Sequence, residues 1–434
     1  MTAPWSLLQV LLGAALLVDV WRIQDLYPAL GALGVPTLIG VAALAVFVLS
    51  PLSSRVWACW WHPVVWFATA ILMLIALSVP GSLYPGLSFG FLERDYLKNF
   101  ALMILIAASI RAVVHVERLV MFQLAGAGMY ALVVLTRLSI GPNGRLGELY
   151  YYDANDLALL LACSMPLLVI PARHRTILVR LVALGAFLLS VLTIMKTGSR
   201  GGLLGLLAAA AAVLIGMTTV PRRTRVASLV ATGLLLMAVG TDRYWEMMAT
   251  MLHPTQDYNW SGGSESGRME VWKRGLGYMA EHPFLGVGAR AFPIAEGQIS
   301  DLAERQEQGI GLKWSEAHNS FVEIGSELGV GGLLSFMAVL VSAFVALRRA
   351  ARIGRALGPA GFKAATIAQC LSASLVAYCV SGFFLSAAYS AYLYATLGMT
   401  VGLCATVFRL ASQQAPRLMR PSQAGATRLG FRAV

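Results

Sequence analysis

The sequence predicts an all-α polytopic membrane protein with about twelve transmembrane helices. Of its 434 residues, 58% are hydrophobic and only 12% are charged, whereas a soluble chain carries about 25% charged residues. Apolar blocks of about 17–25 residues recur from end to end, and each is long enough to cross a hydrocarbon core of about 30 Å. The blocks lack the two-residue alternation of an outer-membrane barrel, so we expect the spans to be helices.

The apolar blocks also predict an orientation in the membrane. We place the spans at residues 4–20, 28–50, 63–80, 97–114, 119–138, 156–172, 177–195, 202–220, 226–241, 318–347, 364–385 and 388–410. Twelve spans put both termini on one side, where more than half of the 33 Lys and Arg residues meet a single acid, Glu117. The positive-inside rule makes this the cytoplasmic side of an inner membrane. The net charge of +12 therefore indicates contact with anionic membrane lipids, not with nucleic acid.

The spans divide the chain into four regions. Residues 1–241 hold spans one to nine, residues 242–317 form one long loop on the outer side, residues 318–411 hold spans ten to twelve, and residues 412–434 form a basic cytoplasmic tail. Within the loop, apolar residues at helical spacing predict an amphipathic helix at the outer interface, with Ser264 or Ser266 as N-cap and Pro283 after its end. The apolar positions are Met269, Trp272, Leu276 and Met279.

Two cationic clusters are expected on the outer side, where charges near a membrane usually serve a function. Arg200 lies at the N-terminus of the eighth span, in "KTGSRGGLLG", where unpaired backbone N–H groups and a guanidinium suit a phosphate. The alternative is an arginine that extends to lipid headgroups. Arg268 shares a face of the loop helix with Trp272, whereas Lys273 and Arg274 point elsewhere; all three cations could instead line a solvated face.

A third polar cluster, in residues 143–162, leads into the sixth span. Asp153, Asn155 and Asp156 fit a helix cap with acids in the first turn, or half of a metal or sugar site. Three tyrosines beside them could stack on sugar rings or form an interfacial aromatic belt; they are Tyr150, Tyr151 and Tyr152.

The fourth cluster is "SEAHNSFVEIGSELGVGG", residues 315–332. If the tenth helix begins at His318, this histidine heads a face of small residues that includes Gly329, and Glu323 and Glu327 fall on the opposite face. Histidine is the natural general base near neutral pH. Phosphate-binding cations and a histidine at one leaflet predict catalysis on a lipid-linked pyrophosphate substrate. We expect the two glutamates to pair with arginines of neighbouring helices and not to join the histidine in one site.

Four segments occur in an order that resembles the O-antigen ligase and polymerase family of bacterial inner membranes. They are "TGSRGG" (197–202), Arg268 with Trp272, "HPFLGVGARAF" (282–292) and "AHNSFVEIGSELGVGGLL" (317–334). His318 and Gly329 match the His-to-Gly spacing of the family, and "YYDANDLALLL" resembles a segment of its exopolysaccharide-associated branch. The resemblance covers residues 140–345 well.

The resemblance implies a GT-C-like helical fold and a glycosyl transfer at the periplasmic face. The family moves a glycan from undecaprenyl diphosphate to an acceptor hydroxyl. The acceptor is lipid A-core for ligases and another lipid-linked repeat for polymerases, and ligases need neither metal nor nucleotide. No metal site is expected, since the five cysteines have no metal-ligand spacing. A polymerase and a protein oligosaccharyltransferase remain alternatives within this class. A transporter or flippase of lipid-linked glycan is more remote.

By the same resemblance, Arg200 and Arg268 would hold the diphosphate, and His318 would activate the acceptor hydroxyl. The further substrate-binding candidates are Arg290, Lys196, Arg145, Asn319, Asp153 and Asn155.

Overall fold

The structure is a computed structural model, and it describes residues 4–50, 56–139, 141, 145–146, 151–253, 255, 257, 259–262, 264–307 and 314–418. Regular structure in this part of the chain is entirely helical, which confirms the predicted all-α class. The first helices are α1 Leu7–Trp21, α2 Ile23–Leu26, α3 Pro28–Ala32, α4 Val35–Val48, α5 Val56–Trp60, α6 Pro63–Ser78, α7 Pro85–Phe91, α8 Leu97–Ser109, α9 Val113–Arg137, α10 Ala154–Ser164 and α11 Val169–Ala172. The remaining helices are α12 Ile177–Thr197, α13 Arg200–Gly216, α14 Arg222–Val239, α15 Asp242–Ala249, α16 Arg268–Glu281, α17 Phe292–Gln298, α18 Ala303–Glu307, α19 Ser320–Ala356, α20 Pro359–Gly382 and α21 Ala391–Leu418.

Seven helical stretches of the described chain are long and apolar enough to cross a membrane. They are Pro63–Gly81, Val113–Arg137, Ala154–Ala172, Ile177–Thr197, Ser320–Ala356, Gly361–Gly382 and Ala391–Gln414. Helices α14 and α15 are bent by 113° relative to each other, and they raise the number to eight if the pair forms one span. Helices α1, α4 and α13 are apolar but shorter. Every predicted span overlaps a helix, and the count of twelve stays a prediction.

Several predicted spans are interrupted, including the span at 318–347, where Gly329 is not helical, and the last helix is longer than expected. The span at 28–50 divides into α3 and α4 at Gly34, whose φ is 60°. The span at 156–172 divides at a 3-10 turn that contains Pro166, a residue without the N–H that a continuous α-helix needs. Helix α21 continues to Leu418, beyond the predicted start of the tail at residue 412, and residues 419–434 lie outside the described part of the chain.

The stretch from α10 to α11, helix α20 and helix α21 form the centre of the bundle, because 78%, 78% and 83% of their apolar stretches are buried. Helix α19 packs against α6, α16, α20 and α21, and α13 packs against α10 and α20. The predicted close approach at the start of α13 is present: a Cβ at Gly202 would overlap Ala158 of α10, and one at Gly205 would overlap Ser381 of α20. Small residues thus let α13 lie directly on the central helices.

Helix α16 exists where the amphipathic pattern predicts it, but its cap and its buried face differ from the prediction. The N-cap is Gly267, not Ser264 or Ser266. The buried side chains are Val271 and Tyr278, with Gly275 between them, whereas Leu276 is 49% exposed. The buried face packs on Phe292 of α17 and Val322 of α19, so α16 lies against the helical bundle through a stripe one residue away from the predicted one.

Candidate active site

His318 precedes the long helix α19 instead of forming its first residue. Asn319 is the N-cap, and its side chain accepts hydrogen bonds from the N–H groups of Phe321 (2.9 Å) and Val322 (3.1 Å). His318 itself has a φ of 47°, in the left-handed region, and its N–H donates to Ser386 Oγ at 2.9 Å. The predicted placement of His318 on a helical face with Gly329 is therefore wrong. Asn319 has a capping role, and its proposed contact with substrate stays a prediction.

Arg200 is the first residue of α13, and it is held by the loop that follows α15. Its guanidinium forms an ion pair with the buried carboxylate of Asp257 and donates to Thr250 Oγ1 at 2.9 Å. Ser199 caps the helix by accepting from the Gly202 N–H at 3.1 Å. The sequence prediction missed Asp257, which stands in a turn-rich segment with no local pattern to connect it to a distant arginine.

Arg268 is the first residue of α16, and the residue after it contacts the loop of Asp257. The Met269 N–H donates to the Asn259 carbonyl at 3.1 Å, two residues after Asp257. One turn along α16, Trp272 Nε1 donates to the carbonyl of Ala317 at 3.0 Å. Since Ala317 directly precedes His318, the loop that binds Arg200, the helix that begins at Arg268 and the segment of His318 form one connected unit.

Aromatic side chains fill the space between these three elements. The Trp260 ring lies 5.4 Å from that of Trp272 and 6.1 Å from that of Phe384, with edge-on geometry in both pairs. Phe384 follows α20 and contacts the position of Gly201, whose carbonyl accepts from Ser381 Oγ at 3.3 Å. Edge-on pairs of this kind stabilise packing beyond the buried area alone, so this aromatic cluster packs the loop of Asp257 and α16 against the start of α13.

A cavity of about 210 Å³ lies beside Ala317, the residue that precedes His318. Its lining residues are Leu87, Arg290, Phe292, Pro293, Glu316, Ala317, Glu323, Glu327 and Ser386. Ser386, which holds the His318 N–H, therefore borders the same cavity as both glutamates. His318 is not among the lining residues, and the expectation that Glu323 and Glu327 do not join the histidine in one site stays a prediction.

Arg290 projects into this cavity from the loop before α17. Its φ is 60°, its side chain is 45% exposed, and its Nη1 lies 3.8 Å from Glu323 Oε1. Burial opposes the charge of this guanidinium, but the carboxylates of Glu323, Glu327 and Glu316 outweigh burial, and the pKa of Arg290 is raised. The predicted arginine partner of a glutamate thus exists, and it comes from the loop instead of a neighbouring helix.

The two buried glutamates join the loop of Arg290 to the loop between α20 and α21. Glu323 Oε2 accepts from the Ala388 N–H at 3.1 Å. Glu327 Oε1 accepts from the Phe292 N–H at 3.4 Å, and its Oε2 accepts from Tyr389 Oη at 3.0 Å. Both carboxylates therefore act as bridges between loops, and each buried acceptor has partners, as buried charges require.

The third predicted cluster forms the N-terminus of α10. Asp153 and Asp156 make a capping box, in which the Asp153 side chain accepts from the N–H groups of Asn155 (2.6 Å) and Asp156 (2.7 Å). This confirms the helix-cap interpretation of Asp153. Asp156 also interacts electrostatically with Glu316 and Arg290, two residues that line the cavity.

Arg145 connects α10 to the end of α12. Its Nη2 donates to Asn155 Oδ1 at 2.8 Å and its Nε to the Thr197 carbonyl at 3.1 Å. The Leu146 N–H donates to the carbonyl of Lys196 at 3.1 Å, which places Lys196 beside them. The structure therefore brings Arg145 and Asn155 to the end of α12, next to Lys196 and Thr197. These two residues of α12 precede Arg200 by four and three positions.

Two further predicted features have different surroundings from those expected. Arg274 is not on a solvated face: it forms a two-pronged ion pair with the buried Glu296 (2.5 and 2.8 Å), which also accepts from Tyr278 Oη at 2.8 Å. The hydrogen bond to Glu296 raises the pKa of Arg274. Tyr151 lies under the Arg22 guanidinium, 3.1 Å from its ring centroid. Tyr150 is outside the described residues.

Residues 157–337 match a family model described as O-antigen ligase. This part of the chain is similar to that family. The matched segment contains Arg200, Arg268, Arg290 and His318, together with the loop and helices that bring them together. No curated protein matches the chain. The match and the apolar helices support a multi-pass membrane protein with a glycosyl-transferring activity of the O-antigen ligase or polymerase kind.

Proposed function

We propose that this protein moves a glycan from undecaprenyl diphosphate to an acceptor hydroxyl at the periplasmic face of the inner membrane. The acceptor in this proposal is lipid A-core, as in a ligase. The observation that carries it is the connected unit of Arg200, Arg268 and His318, built through Asp257, Asn259 and the Trp272–Ala317 hydrogen bond. Two cations and a potential base carried by one connected unit supply the residue types that the cleavage of a diphosphate ester and the activation of a hydroxyl need.

In this mechanism the diphosphate displaces Asp257 from Arg200. An ion pair with a buried carboxylate keeps the guanidinium oriented before the anionic lipid arrives, and the diphosphate offers oxygens for the same planar fork. Arg268, at the first position of α16, adds a second cation at the positive end of that helix. Charge that develops on the leaving diphosphate is then offset by both arginines.

His318 completes the reaction as the general base. Its imidazole takes the proton of the acceptor hydroxyl while that oxygen attacks the anomeric carbon, the bond to the diphosphate breaks, and the configuration inverts. Arg290, Lys196 and Arg145 are proposed to contact further phosphate or sugar groups, and Asn155 and Asp153 to border the glycan. The proposal also keeps twelve spans, a GT-C-like arrangement, residues 242–317 in the periplasm and residues 412–434 in the cytoplasm.

A polymerase is the second candidate, favoured by the segment "YYDANDLALLL" at the start of α10. A deletion strain separates the two on a gel of cell-envelope glycans. Loss of a ligase leaves long polymer on the lipid carrier, whereas loss of a polymerase leaves single repeats.

The catalytic assignment is tested by replacing His318, Arg200 and Arg268 individually with alanine and measuring glycan transfer in membranes. Because each residue is proposed to act in the transition state, we expect each variant to lose at least about 100-fold in rate while it still inserts and folds. Matched controls are His253→Ala and Lys273→Ala, since both side chains are exposed and Lys273 lies on the same helix as Arg268. Full activity in His318→Ala and Arg200→Ala would show the assignment to be wrong.

A further inference from the structure

The backbone of His318 is held in a conformation that few residues other than glycine adopt. Among the described residues only Arg22, Arg290 and His318 combine a side chain with a positive φ. Such a conformation is strained and persists only where the surrounding structure fixes it. At His318 the fixing contact is visible: the backbone N–H donates to Ser386 Oγ at 2.9 Å.

Ser386 is itself fixed by the helix that follows His318. It belongs to the loop between α20 and α21, residues 383–390. The neighbours of Ser386 on either side are bound to one hydroxyl of α19, because Ser320 Oγ donates to the Leu385 carbonyl at 2.7 Å and accepts from the Ala387 N–H at 3.0 Å. The hydroxyl of Ser386 therefore has a defined position relative to the start of α19.

The buried glutamates extend this support to the rest of the loop. Glu323 binds the Ala388 N–H and Glu327 binds the Tyr389 hydroxyl, so two residues after Ser386 are also attached to α19. The same carboxylates contact Arg290 and Phe292 on the opposite loop. The loop cannot shift away from His318 without breaking buried contacts to carboxylates, which are costly to leave unpaired.

We propose that Ser386 is a positioning residue for His318: its hydroxyl holds the His318 backbone in the left-handed conformation that aims the imidazole at the acceptor. This inference rests on the proposed role of His318 as general base. A general base must lie within hydrogen-bond reach of the proton that it removes. When the acceptor of the His318 N–H is lost, the strained backbone relaxes and the imidazole moves. A displacement of about 1 Å lowers a rate on the order of 100-fold.

The test compares Ser386→Ala and Ser386→Thr in the purified full-length protein, with lipid-linked glycan as donor. For Ser386→Ala we expect kcat to fall on the order of 10- to 100-fold with little change in the KM of the donor, because the phosphate-binding arginines are untouched. For the same variant we expect the dependence of kcat on pH to keep its shape, with a lower maximal kcat. Ser386→Thr retains a hydroxyl at the same position and restores most of the rate.

Ser390→Ala is the matched control, since it removes a hydroxyl from the same loop four residues further on, and we expect it to leave kcat unchanged. Wild-type kcat in Ser386→Ala overturns the inference. So does a parallel loss of kcat, donor affinity and thermal stability that threonine fails to rescue, because that pattern belongs to a general structural role. His318→Ala is measured in the same series: if it keeps full activity, the proposed function fails, and if it is inactive while Ser386→Ala is normal, only the positioning role fails.

Discussion

Gly286→Ala is expected to detach the loop of Arg290 from α19. Gly286 has a φ of 61°, and a Cβ at this position would overlap the carbonyl groups of Ser326 and Glu327 in α19. The next two residues of the loop are bound to these same carbonyls: Val287 N–H donates to Ser326 at 2.9 Å, and Gly288 N–H donates to Glu327 at 3.0 Å.

The cost of the substitution follows from these contacts. The left-handed conformation costs a residue with a Cβ about 1–2 kcal/mol, and each backbone hydrogen bond that is lost removes about 0.5–1.5 kcal/mol. With both bonds broken the total is roughly 2–5 kcal/mol, which is a large part of the free energy of unfolding of a typical protein. The altered loop also moves Arg290 away from Glu323, so we expect transfer activity to fall with stability.

The measurement is the midpoint of thermal unfolding of the purified protein in detergent, together with glycan transfer in membranes. Gly277→Ala is the matched control, because Gly277 lies inside α16 and a Cβ there meets no atom within 4 Å. Alanine stabilises such a helical position by about 0.5–1 kcal/mol. We therefore expect Gly277→Ala to raise the midpoint of thermal unfolding and Gly286→Ala to lower it. If Gly286→Ala unfolds at the midpoint of the wild type and remains active, the loop is not attached to α19 in the way described.

Two further substitutions test other parts of the structure. Glu296→Ala leaves the half-buried Arg274 without its carboxylate partner, and we expect the free energy of unfolding to fall by about 3–5 kcal/mol, measured as a lower midpoint of thermal unfolding. Glu296→Gln still accepts the hydrogen bond from Tyr278 and should lose less stability. An unchanged midpoint for Glu296→Ala would contradict the buried ion pair. Asp153→Ala removes the N-cap of α10 and the proposed border with the glycan, so we expect a loss of about 1 kcal/mol and a lower rate of transfer, whereas Asp153→Ser keeps the cap and the stability. Full transfer in Asp153→Ala would leave Asp153 with a capping role alone.

The helices could be predicted from the sequence because hydropathy reports burial in lipid directly. Every predicted span overlaps a helix, and the break at Pro166 is visible in the sequence. The buried face of α16 could not be predicted in this way. Its helix packs an arginine inward, and the pattern of apolar residues does not reveal that Arg274 will be paired with Glu296 from α17.

The residue types of the candidate site could be predicted, but their partners could not. Arg200, Arg268 and His318 were found because cations and a histidine at a membrane surface are unusual. Asp257 and Ser386 carry no local signal: the contact of His318 with Ser386 joins residues 68 positions apart. His318 was also given a helical face because the helix was started two residues early, and a residue before the helix does not follow the 100° step that relates helical residues to one another.

The interruption of α19 at Gly329 explains why this membrane helix carries so much of the site. In a continuous helix the Val330 N–H would donate to the Ser326 carbonyl. Here it donates to the Pro283 carbonyl at 2.9 Å, and Ser326 accepts from the loop. Gly329 has a φ of 69°, and a Cβ there would overlap Pro283. The break therefore exchanges one internal hydrogen bond for several to the loop of Arg290. Backbone groups in a poorly hydrated environment are costly to leave unpaired, so this exchange fixes the loop regardless of its exposed side chains. Phe284 lies on the same loop and is 85% exposed. We therefore expect Phe284→Ala to leave the midpoint of thermal unfolding unchanged, whereas alanine at Gly286 or Gly329 lowers it.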